Sequence, residues 1–358
     1  MKIAIDVSQI IYETGVSTYT KNLVGNLIKL DKDNQYILFG GSLRGLSRLK
    51  RTMTTIQGKY RLMTFPIPPA LADFLWNRLH VFSIERLIGK IDVFHSSDWA
   101  QPPTRAFKVT TVHDLVPLKY PELSHPRIVA AHKMRLKHVK KEVDRIIVPS
   151  RQTKEDLIEE GVSQERIRVI PEAPDPIFEP SKKLEVERVK RKYAIRGKYL
   201  LTVGISLRKN TQRIVQAYEK IGLQGDLKLV LVGKPVKMTK KVPGTITTGH
   251  VPLQDLPALY SGAQALVYPS LYEGFGLPIL EAFKCEIPVV TSNLGSMKEI
   301  CENTAVLVDP KSPNSIADGI IKAIKSRSSL VKKGIAKMKQ FSWEKTAEQT
   351  LKVYKELC

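Results

Sequence analysis

Two glutamates flank a short loop that contains glycine and proline. Glu273 and Glu281 are separated by seven residues, and Gly276 and Pro278 lie between them. Residues 265–270 form an apolar run that ends in proline and serine, which is typical of a buried strand closed by a turn. A proline followed by apolar residues at helical spacing predicts that a helix begins after the loop. We therefore expect a strand, a glycine loop and a helix start, in that order.

This geometry would direct backbone N–H groups and the positive end of a helix dipole towards a phosphate or a sugar hydroxyl. Glu273 is expected in the loop and Glu281 about one turn inside the helix, so the two carboxylates would face different parts of a ligand. Acid and base catalysis on one bond is therefore not the chemistry that this spacing favours. An ordinary strand–helix turn with two solvated glutamates is the alternative, because short glycine motifs have little specificity.

The segment 273–282, E-G-F-G-L-P-I-L-E-A, resembles the E-x7-E signature of retaining nucleotide-sugar glycosyltransferases of family four, the group 1 family. The resemblance implies the GT-B fold, an α/β fold in which two doubly wound Rossmann-like domains face each other across a cleft. It also implies that Glu281 hydrogen-bonds the ribose of the donor. Glu273 would hold the hexose together with three loop amides, those of Phe275, Gly276 and Leu277.

A second glycine loop follows another apolar run. Gly204 precedes a basic pair, Arg208 and Lys209. Cations on a surface loop need no ligand, but a strand, a glycine loop and a helix start also make an anion site. The resemblance favours the anion site, in which the basic pair stabilises the charge that develops on the donor's diphosphate as the glycosidic bond breaks. The loop is shorter than the usual family pattern, so which of the two cations reaches the phosphates stays open.

A catalytic metal is not expected. The D-x-D sequence at residues 31–33 is followed by Asn34, and turn chemistry explains it fully. Lys32 inside this sequence would disfavour a bound cation. We therefore expect neither a metal nor another cofactor, with the basic pair and helix N-terminal amides taking the place of the cation.

In the first half of the chain, His113 and Asp114 follow a predicted strand at 108–112. A buried histidine hydrogen-bonded to its neighbour would explain this pair without any ligand. The resemblance instead places the His113 imidazole beside the donor sugar, and Asp114 either orients that ring or meets the acceptor hydroxyl. The resemblance also places Gly15 near the phosphates of the donor and the main chain of Val251 against the base of the donor nucleotide.

The elements that must position these residues alternate between strand-like and helix-like runs. Such alternation specifies a parallel sheet covered by helices on both faces. Residues 95–98, at the end of one strand, are a further candidate for the acceptor pocket. Helices are predicted at 17–30 and 128–143. Strands are predicted at 2–7, 36–40, 60–65, 92–96, 108–112 and 145–148, and again at 199–204, 227–233, 245–248, 265–268, 288–291 and 305–308.

A proline-rich stretch divides the chain. Four prolines in residues 171–180 exclude a helix or a central strand there and predict a semi-rigid linker. The predicted domains are 1–172, on the acceptor side, and 173–341, which binds the donor. A last helix, about 342–358, is expected to begin with Ser342 as its N-cap. The resemblance returns this helix to the first domain.

Composition narrows the class of protein. The chain has 358 residues, which is too long for one ordinary core and suits two domains. It has no apolar run of the roughly 18 residues that a transmembrane helix needs, and residues 1–7 are interpreted as a first strand, not a signal peptide. Three cysteines without C-x-x-C spacing indicate neither a disulfide framework nor a zinc site. A cytoplasmic, reduced protein is expected.

The net charge of +22 calls for an anionic partner. A nucleic acid, an anionic lipid surface and a nucleotide diphosphate all qualify. Residues 132–141 form a basic amphipathic stretch, which is either a solvated helix face or a docking surface for an anionic membrane. Few aromatics, 7%, and no recognisable nucleic-acid motif argue against nucleic acid. We expect this cytoplasmic protein to bind peripherally at the inner face of the plasma membrane.

Together these features predict a retaining hexosyltransferase with a nucleotide-sugar donor and a saccharide or lipid-linked acceptor, active in cell-envelope polysaccharide synthesis. Residues 113–122 resemble mannosyltransferase-like members, which favours GDP-mannose as the donor. No residue stands out as a covalent nucleophile, so a front-face substitution is expected. The alternatives are a sugar-nucleotide epimerase, a phosphorylase, whose cofactor-lysine signature we do not find, and a noncatalytic basic protein.

Overall fold

The structure is a computed structural model that describes residues 1–12, 14–221, 227–234 and 242–357. Cys358, the third cysteine and the predicted end of the last helix, lies outside these residues. The chain divides into two compact units. The first unit comprises Met1–Glu172 with Ser342–Cys358, and the second comprises Ala173–Phe341.

The first unit is built on a parallel sheet with the strand order β3-β2-β1-β4-β5-β6-β7 in the described residues. Its strands are β1 Lys2–Asp6, β2 Gln35–Gly41, β3 Arg61–Phe65, β4 Val93–Ser96, β5 Phe107–Thr111, β6 Arg145–Val148 and β7 Ile167–Val169. Its helices are α1 Gly15–Leu30, α2 Leu46–Met53, α3 Pro69–Ala72, α4 Glu85–Ile88, α5 Val116–Lys119, α6 Pro126–Glu142 and α7 Arg151–Glu159. A π-helical stretch, Asp73–Arg78, continues α3. The edge strand β7 was not predicted, because three residues carry too little periodicity to reveal a strand.

The second unit repeats this design with the strand order β10-β9-β8-β11-β12-β13 in the described residues, all parallel. Its strands are β8 Lys198–Val203, β9 Leu227–Val232, β10 Thr245–Gly249, β11 Ala265–Tyr268, β12 Val289–Ser292 and β13 Val306–Val308. Its helices are α8 Lys183–Lys192, α9 Thr211–Ile221, α10 Leu256–Ser261, α11 Leu277–Lys284, α12 Gly295–Cys301, α13 Pro313–Lys325 and α14 Arg327–Met338. The predicted strands of both units are confirmed to within one residue at each end.

Both sheets are covered on both faces, as their composition requires. All four residues of β4 and of β11 are buried, because a parallel strand has no solvent-facing side. In each sheet the carboxyl ends of the strands carry the loops that lead into the helices. These loops hold the polar residues singled out by the sequence.

The last helix, Trp343–Tyr354, packs against α1 in the first unit. Ser342 accepts a hydrogen bond from the Lys345 N–H, which confirms the predicted N-cap. Trp343 meets the Tyr19 ring edge-on with 5.8 Å between centroids. Within the described ranges, the helices are all too short or too polar to span a bilayer.

Candidate functional site

In the second unit, Glu273 is enclosed by two cations. Its carboxylate lies 2.5 Å from Arg208 Nη1 and 2.7 Å from Lys209 Nζ, and it also accepts from the Tyr268 hydroxyl at 2.9 Å. Only 8% of Glu273 is exposed. Burial by itself raises the pKa of Glu273, but the ion pairs with Lys209 and Arg208 outweigh burial and lower the pKa to about 2. The structure therefore brings three of the predicted site residues into one charged cluster.

The two loops that carry this cluster are tied together. Asn210 Nδ2 donates to the Pro269 carbonyl at 3.0 Å, and the Leu271 N–H donates to the Arg208 carbonyl at 2.9 Å. Ser296 Oγ donates to the Glu273 carbonyl at 2.7 Å, so α12 supports the same loop. The loop after β8 and the loop after β11 are thus held at one edge of the sheet.

Glycine is required at two points of these loops. Gly204 has a φ of 86°, and a Cβ there would lie 3.2 Å from Lys209 Cε, so a side chain would crowd the lysine. Gly276 has a φ of 117° and precedes α11, which begins at Leu277 with Pro278 in its first turn. Both φ values lie where side chains are disfavoured. The sequence predicted Pro278 as the first residue of this helix, and the structure begins the helix one residue earlier, at Leu277.

Glu281 lies in the second turn of α11 and faces a different partner from Glu273. The buried Tyr260 hydroxyl donates to Glu281 Oε2 at 2.5 Å. Burial raises the pKa of Glu281 to about 7, although the Tyr260 hydrogen bond acts in the opposite direction. The two glutamates of the motif thus have opposite pKa shifts, consistent with separate tasks. Sequence reasoning did not identify Tyr260, which precedes Glu281 by twenty-one positions.

The remaining predicted donor positions are mostly apolar. Phe275 and Val251 are buried in the same hydrophobic cluster, and Leu277 packs against it. Their side chains therefore shape the loops, and any contact with a donor would come from their main-chain groups. Such contacts stay predictions.

In the first unit, His113 is held by a carboxylate that the sequence did not indicate. His113 Nδ1 lies 2.8 Å from Glu172 Oε1, and the Tyr19 ring meets the imidazole edge-on at 4.6 Å. Burial would lower the pKa of His113, but the hydrogen bond and charge of Glu172 outweigh it, so the pKa is raised. Asp114 accepts from the Val116 N–H at 2.9 Å. We expected Asp114 to orient the ring, but Glu172 is the residue that holds His113 Nδ1.

His113 also lines a small cavity together with residues 95–98, the candidates for the acceptor pocket. The cavity has about 20 Å³ of free volume, which suits roughly one water molecule. His95 bonds to the Tyr354 hydroxyl at 2.6 Å and to Thr111 Oγ1 at 2.9 Å. Burial lowers the pKa of His95 to about 3, so the ring is neutral. His95 thus has a structural role, in fixing the last helix.

Two other predicted features have clear local structure. Gly15 is the first residue of α1, where Thr14 and Ser17 form a capping box and where a Cβ would meet open space. Asp31 accepts from the N–H groups of Asp33 and Asn34. This confirms turn chemistry for the D-x-D sequence.

The basic stretch 132–141 lies within α6, and it is not uniformly exposed. Arg135 is buried, donates to Thr110 Oγ1 at 2.6 Å and lies 3.4 Å from Asp98. Lys133 and Lys137 are exposed. The buried Arg135 therefore stabilises the first unit, whereas the exposed lysines form the outer face of α6.

Comparisons with known proteins identify the family of the chain. The family model "Glycosyl transferases group 1" matches residues 185–341, and "Glycosyltransferase Family 4" matches residues 14–176. The chain is 30% identical to the O-antigen chain mannosyltransferase B of Escherichia coli over 282 residues, which covers 74% of each chain.

Solved structures share the fold. Sucrose-phosphate synthase from Thermosynechococcus elongatus superposes with a TM-score of 0.74 at 20% identity, covering 100% of this chain and 99% of that one. Anabaena HepE in complex with UDP-glucose has a TM-score of 0.72 at 15% identity, covering 99% of this chain and 100% of that one. At these identities the likeness shows the fold alone. That fold is GT-B, with two Rossmann-like domains.

Proposed function

Because the chain belongs to the group 1 glycosyltransferases, we propose that it is a retaining, metal-independent hexosyltransferase with a nucleotide diphosphate sugar as donor. We further propose mannose as the sugar and GDP-mannose as the donor. The sugar is supported by the mannosyltransferase relative in E. coli. A nucleotide-sugar donor is supported by HepE, which was solved with UDP-glucose.

The cluster of Arg208, Lys209 and Glu273 is the observation that carries this proposal. Two cations are held together by Glu273 in the glycine loops at the carboxyl end of a parallel sheet. Fixed cations need no reorganisation when charge develops on a leaving group. Such preorganised charge is the main way in which electrostatic catalysis stabilises a transition state. A diphosphate has the charge and size to engage both cations. They would therefore supply the positive charge that a metal provides in other transferases.

The reaction proposed is a front-face substitution. The acceptor oxygen attacks the anomeric carbon while the bond from that carbon to the β-phosphate oxygen breaks. The departing phosphate oxygen takes the proton of the acceptor hydroxyl, so the products are the glycoside and a nucleoside diphosphate. Arg208 and Lys209 stabilise the charge on the diphosphate. This route requires no covalent intermediate on the protein.

The other residues would position the donor. Glu281 would accept hydrogen bonds from the ribose hydroxyls, and Glu273 with the loop amides would hold the hexose. Gly15 would allow the start of α1 to approach the phosphates. In the first unit, His113 would contact the transferred sugar, with Glu172 fixing its Nδ1. Asp114 remains the candidate contact for the acceptor.

We also propose that the acceptor is lipid-linked and that the protein acts peripherally at the cytoplasmic face of a membrane. Helix α6, which carries the exposed lysines, packs against the segment 69–82, where His138 Nε2 donates to the Asn77 carbonyl at 2.7 Å. This segment exposes several large apolar side chains, and exposed apolar groups beside lysines suit an anionic lipid surface. They are Leu71, Phe74, Leu79, Val81 and Phe82.

Nucleotide binding and product analysis would test the proposed function. GDP is expected to raise the melting temperature more than UDP or ADP does. Incubation with GDP-mannose and a lipid-linked saccharide is expected to yield an α-mannoside by NMR, because GDP-mannose is itself an α-glycoside. A β-product would exclude retention. Formation of an epimeric sugar nucleotide without acceptor, or a requirement for orthophosphate, would instead identify an epimerase or a phosphorylase.

A further inference from the structure

Three potential metal ligands meet where α6 packs against the segment 69–82, and none of them is assigned to the reaction. His138 and Glu142 are four positions apart on this helix and therefore share one face. His80 comes from the segment that follows the π-helical stretch. Its Nε2 lies 2.9 Å from Glu142 Oε1. Its ring lies parallel to that of His138, with 3.9 Å between the centroids, so the two rings must tilt towards each other for both to bind one ion. One ligand atom from each residue lies within 4.8 Å of the other two.

The hydrogen bonds of the two histidines determine which ring nitrogens carry lone pairs. His80 Nδ1 lies 2.9 Å from the Trp76 carbonyl, and His138 Nε2 lies 2.7 Å from the Asn77 carbonyl. A carbonyl oxygen can only accept, so both of these nitrogens must donate. In the neutral rings, His80 Nε2 and His138 Nδ1 then keep their lone pairs. Backbone acceptors fix the ligating tautomer of histidines at metal sites in this same manner.

The lone pair of His80 Nε2 meets a carboxylate instead of a donor. Glu142 Oε1 is buried and receives no hydrogen bond from a neutral donor among the described residues, although it lies next to His80 Nε2. Two electron-rich atoms at 2.9 Å repel each other unless a positive charge lies between them. That charge is either a proton on His80 or a metal ion. The cluster therefore requires a cation.

The backbone around His80 is held in an unusual conformation that presents the ring to α6. His80 and Phe82 have φ values of 52° and 67°, in the left-handed region. Trp76 Nε1 donates to the Phe82 carbonyl at 3.0 Å, and the Val81 N–H donates to the Leu75 carbonyl at 2.9 Å. Strained residues of this kind persist only where the surroundings fix them, and they cluster at functional positions.

We propose that His80, His138 and Glu142 bind one Zn²⁺-like divalent transition-metal ion, with water as a fourth ligand. Two imidazoles and one carboxylate suit zinc in a tetrahedral site, whereas magnesium and calcium prefer oxygen ligands alone. The ion would join the apolar segment 69–82 to α6 and so hold the proposed membrane-facing surface in place. It would take no part in glycosyl transfer. The cysteine spacing could not predict this site, because its ligands are two histidines and a glutamate, and His80 lies far from the other two in sequence.

Zinc binding to the full-length, untagged protein, first stripped with EDTA and then dialysed, would test the proposal. In competition with a chromophoric chelator, one equivalent of Zn²⁺ is expected to bind and to raise the melting temperature, because the ion binds the folded state. Co²⁺ in place of Zn²⁺ is expected to give the intense visible bands of four-coordinate cobalt. These readouts do not depend on turnover.

His80→Gln and Glu142→Gln are each expected to weaken Zn²⁺ binding by about 10²-fold or more, since even outer-shell changes cost 10- to 100-fold. His132→Gln, on the same helix but outside the cluster, is the matched control and should bind like the unchanged protein. Circular dichroism of the metal-free variants checks their folding, and Glu142→Gln, which is nearly isosteric, serves if His80→Gln does not fold. Absence of saturable binding, equal binding by all variants, or equal weakening by His132→Gln would overturn the site in favour of a protonated His80–Glu142 pair.

Discussion

Replacing Glu273 with Gln removes the negative charge that holds Arg208 and Lys209 together. Because Glu273 is buried and its pKa falls from 4.5 to about 2, its ionisation stabilises the folded protein. At about 1.36 kcal/mol for each pKa unit, the shift corresponds to about 3 kcal/mol. Breaking one side of a buried ion pair typically costs about 3–5 kcal/mol. We therefore expect Glu273→Gln to destabilise the second unit by about 3 kcal/mol at pH 7.

Calorimetry would measure this loss as a lower melting temperature. For a unit of this size, 1 kcal/mol shifts the melting temperature by about 2–4 °C, so a fall of roughly 6–12 °C is expected. Glu187→Gln is the control, because it removes an exposed ion pair with Lys190 in the same unit, and such pairs contribute about 0–1 kcal/mol. The stabilising effect of Glu273 is present above pH 4.5, the unfolded pKa, and is lost as the pH falls towards 2.

The same variant tests whether the cations form a diphosphate site. In Glu273→Gln the two cations lack their carboxylate, so the diphosphate of GDP would replace the missing charge. Saturating GDP is therefore expected to raise the melting temperature of Glu273→Gln more than that of the unchanged protein or of Glu187→Gln. Equal shifts in all three proteins would refute the assignment of Arg208 and Lys209 to the diphosphate. A loss of stability below about 1 kcal/mol would refute the ion-pair argument itself.

Other predictions concern the remaining site residues. Lys209→Ala should lower kcat by about 10²-fold or more, since one electrostatic stabiliser is lost; an effect on KM alone would show that it serves binding only. Because the pKa of Glu281 is raised to about 7, GDP affinity measured by calorimetry should increase as the pH rises through 7, where the carboxylate becomes ionised and accepts stronger hydrogen bonds; the same increase in Glu281→Gln would assign it to the nucleotide's own phosphate. Glu172→Gln should lower the pH at which His113 titrates by NMR, because the charge that raises its pKa is removed; an unchanged titration would contradict the pairing. Turnover should persist in excess EDTA, and a complete loss that magnesium or manganese restores would exclude the metal-independent route. Vesicle binding should rise with anionic lipid content and fall with salt, and it should weaken when exposed lysines of α6 are replaced with Gln, namely Lys133, Lys137 and Lys141; equal binding to neutral vesicles would contradict it.

Local patterns in the sequence were sufficient for most of the fold. Strand β11 has the predicted bounds, 265–268, because an unbroken apolar run closed by proline has one good conformation in a parallel sheet. The start of α11 was predictable for a similar reason, since Gly276 and Pro278 have strong and specific backbone preferences. The short edge strand β7 lacked any such signal.

The sequence also identified the charged groups of the donor site, but it did not show which of them pair with each other. It placed Arg208, Lys209 and Glu273 at the ends of two strands, and parallel strands bring such ends to one edge of a sheet. It did not show that the glutamate binds both cations, which depends on side-chain distances of 2.5 and 2.7 Å. The loop that carries Glu273 is held by hydrogen bonds from Asn210 to the Pro269 carbonyl and from Ser296 to the Glu273 carbonyl.

Partners far apart in the chain were decided by the tertiary structure alone. Glu172 lies in a proline-rich stretch that predicted only a linker, yet its carboxylate is buried against His113, 59 positions earlier. No sequence pattern distinguishes Tyr260 or His80. The fold places Tyr260 beside Glu281 and His80 beside Glu142. Periodicity and turn chemistry act over a few residues, so the sequence by itself determined the elements and the polar groups at their ends. Which of those groups form pairs depends on packing between distant segments, and that packing shifted the pKa values of His113, Glu273 and Glu281.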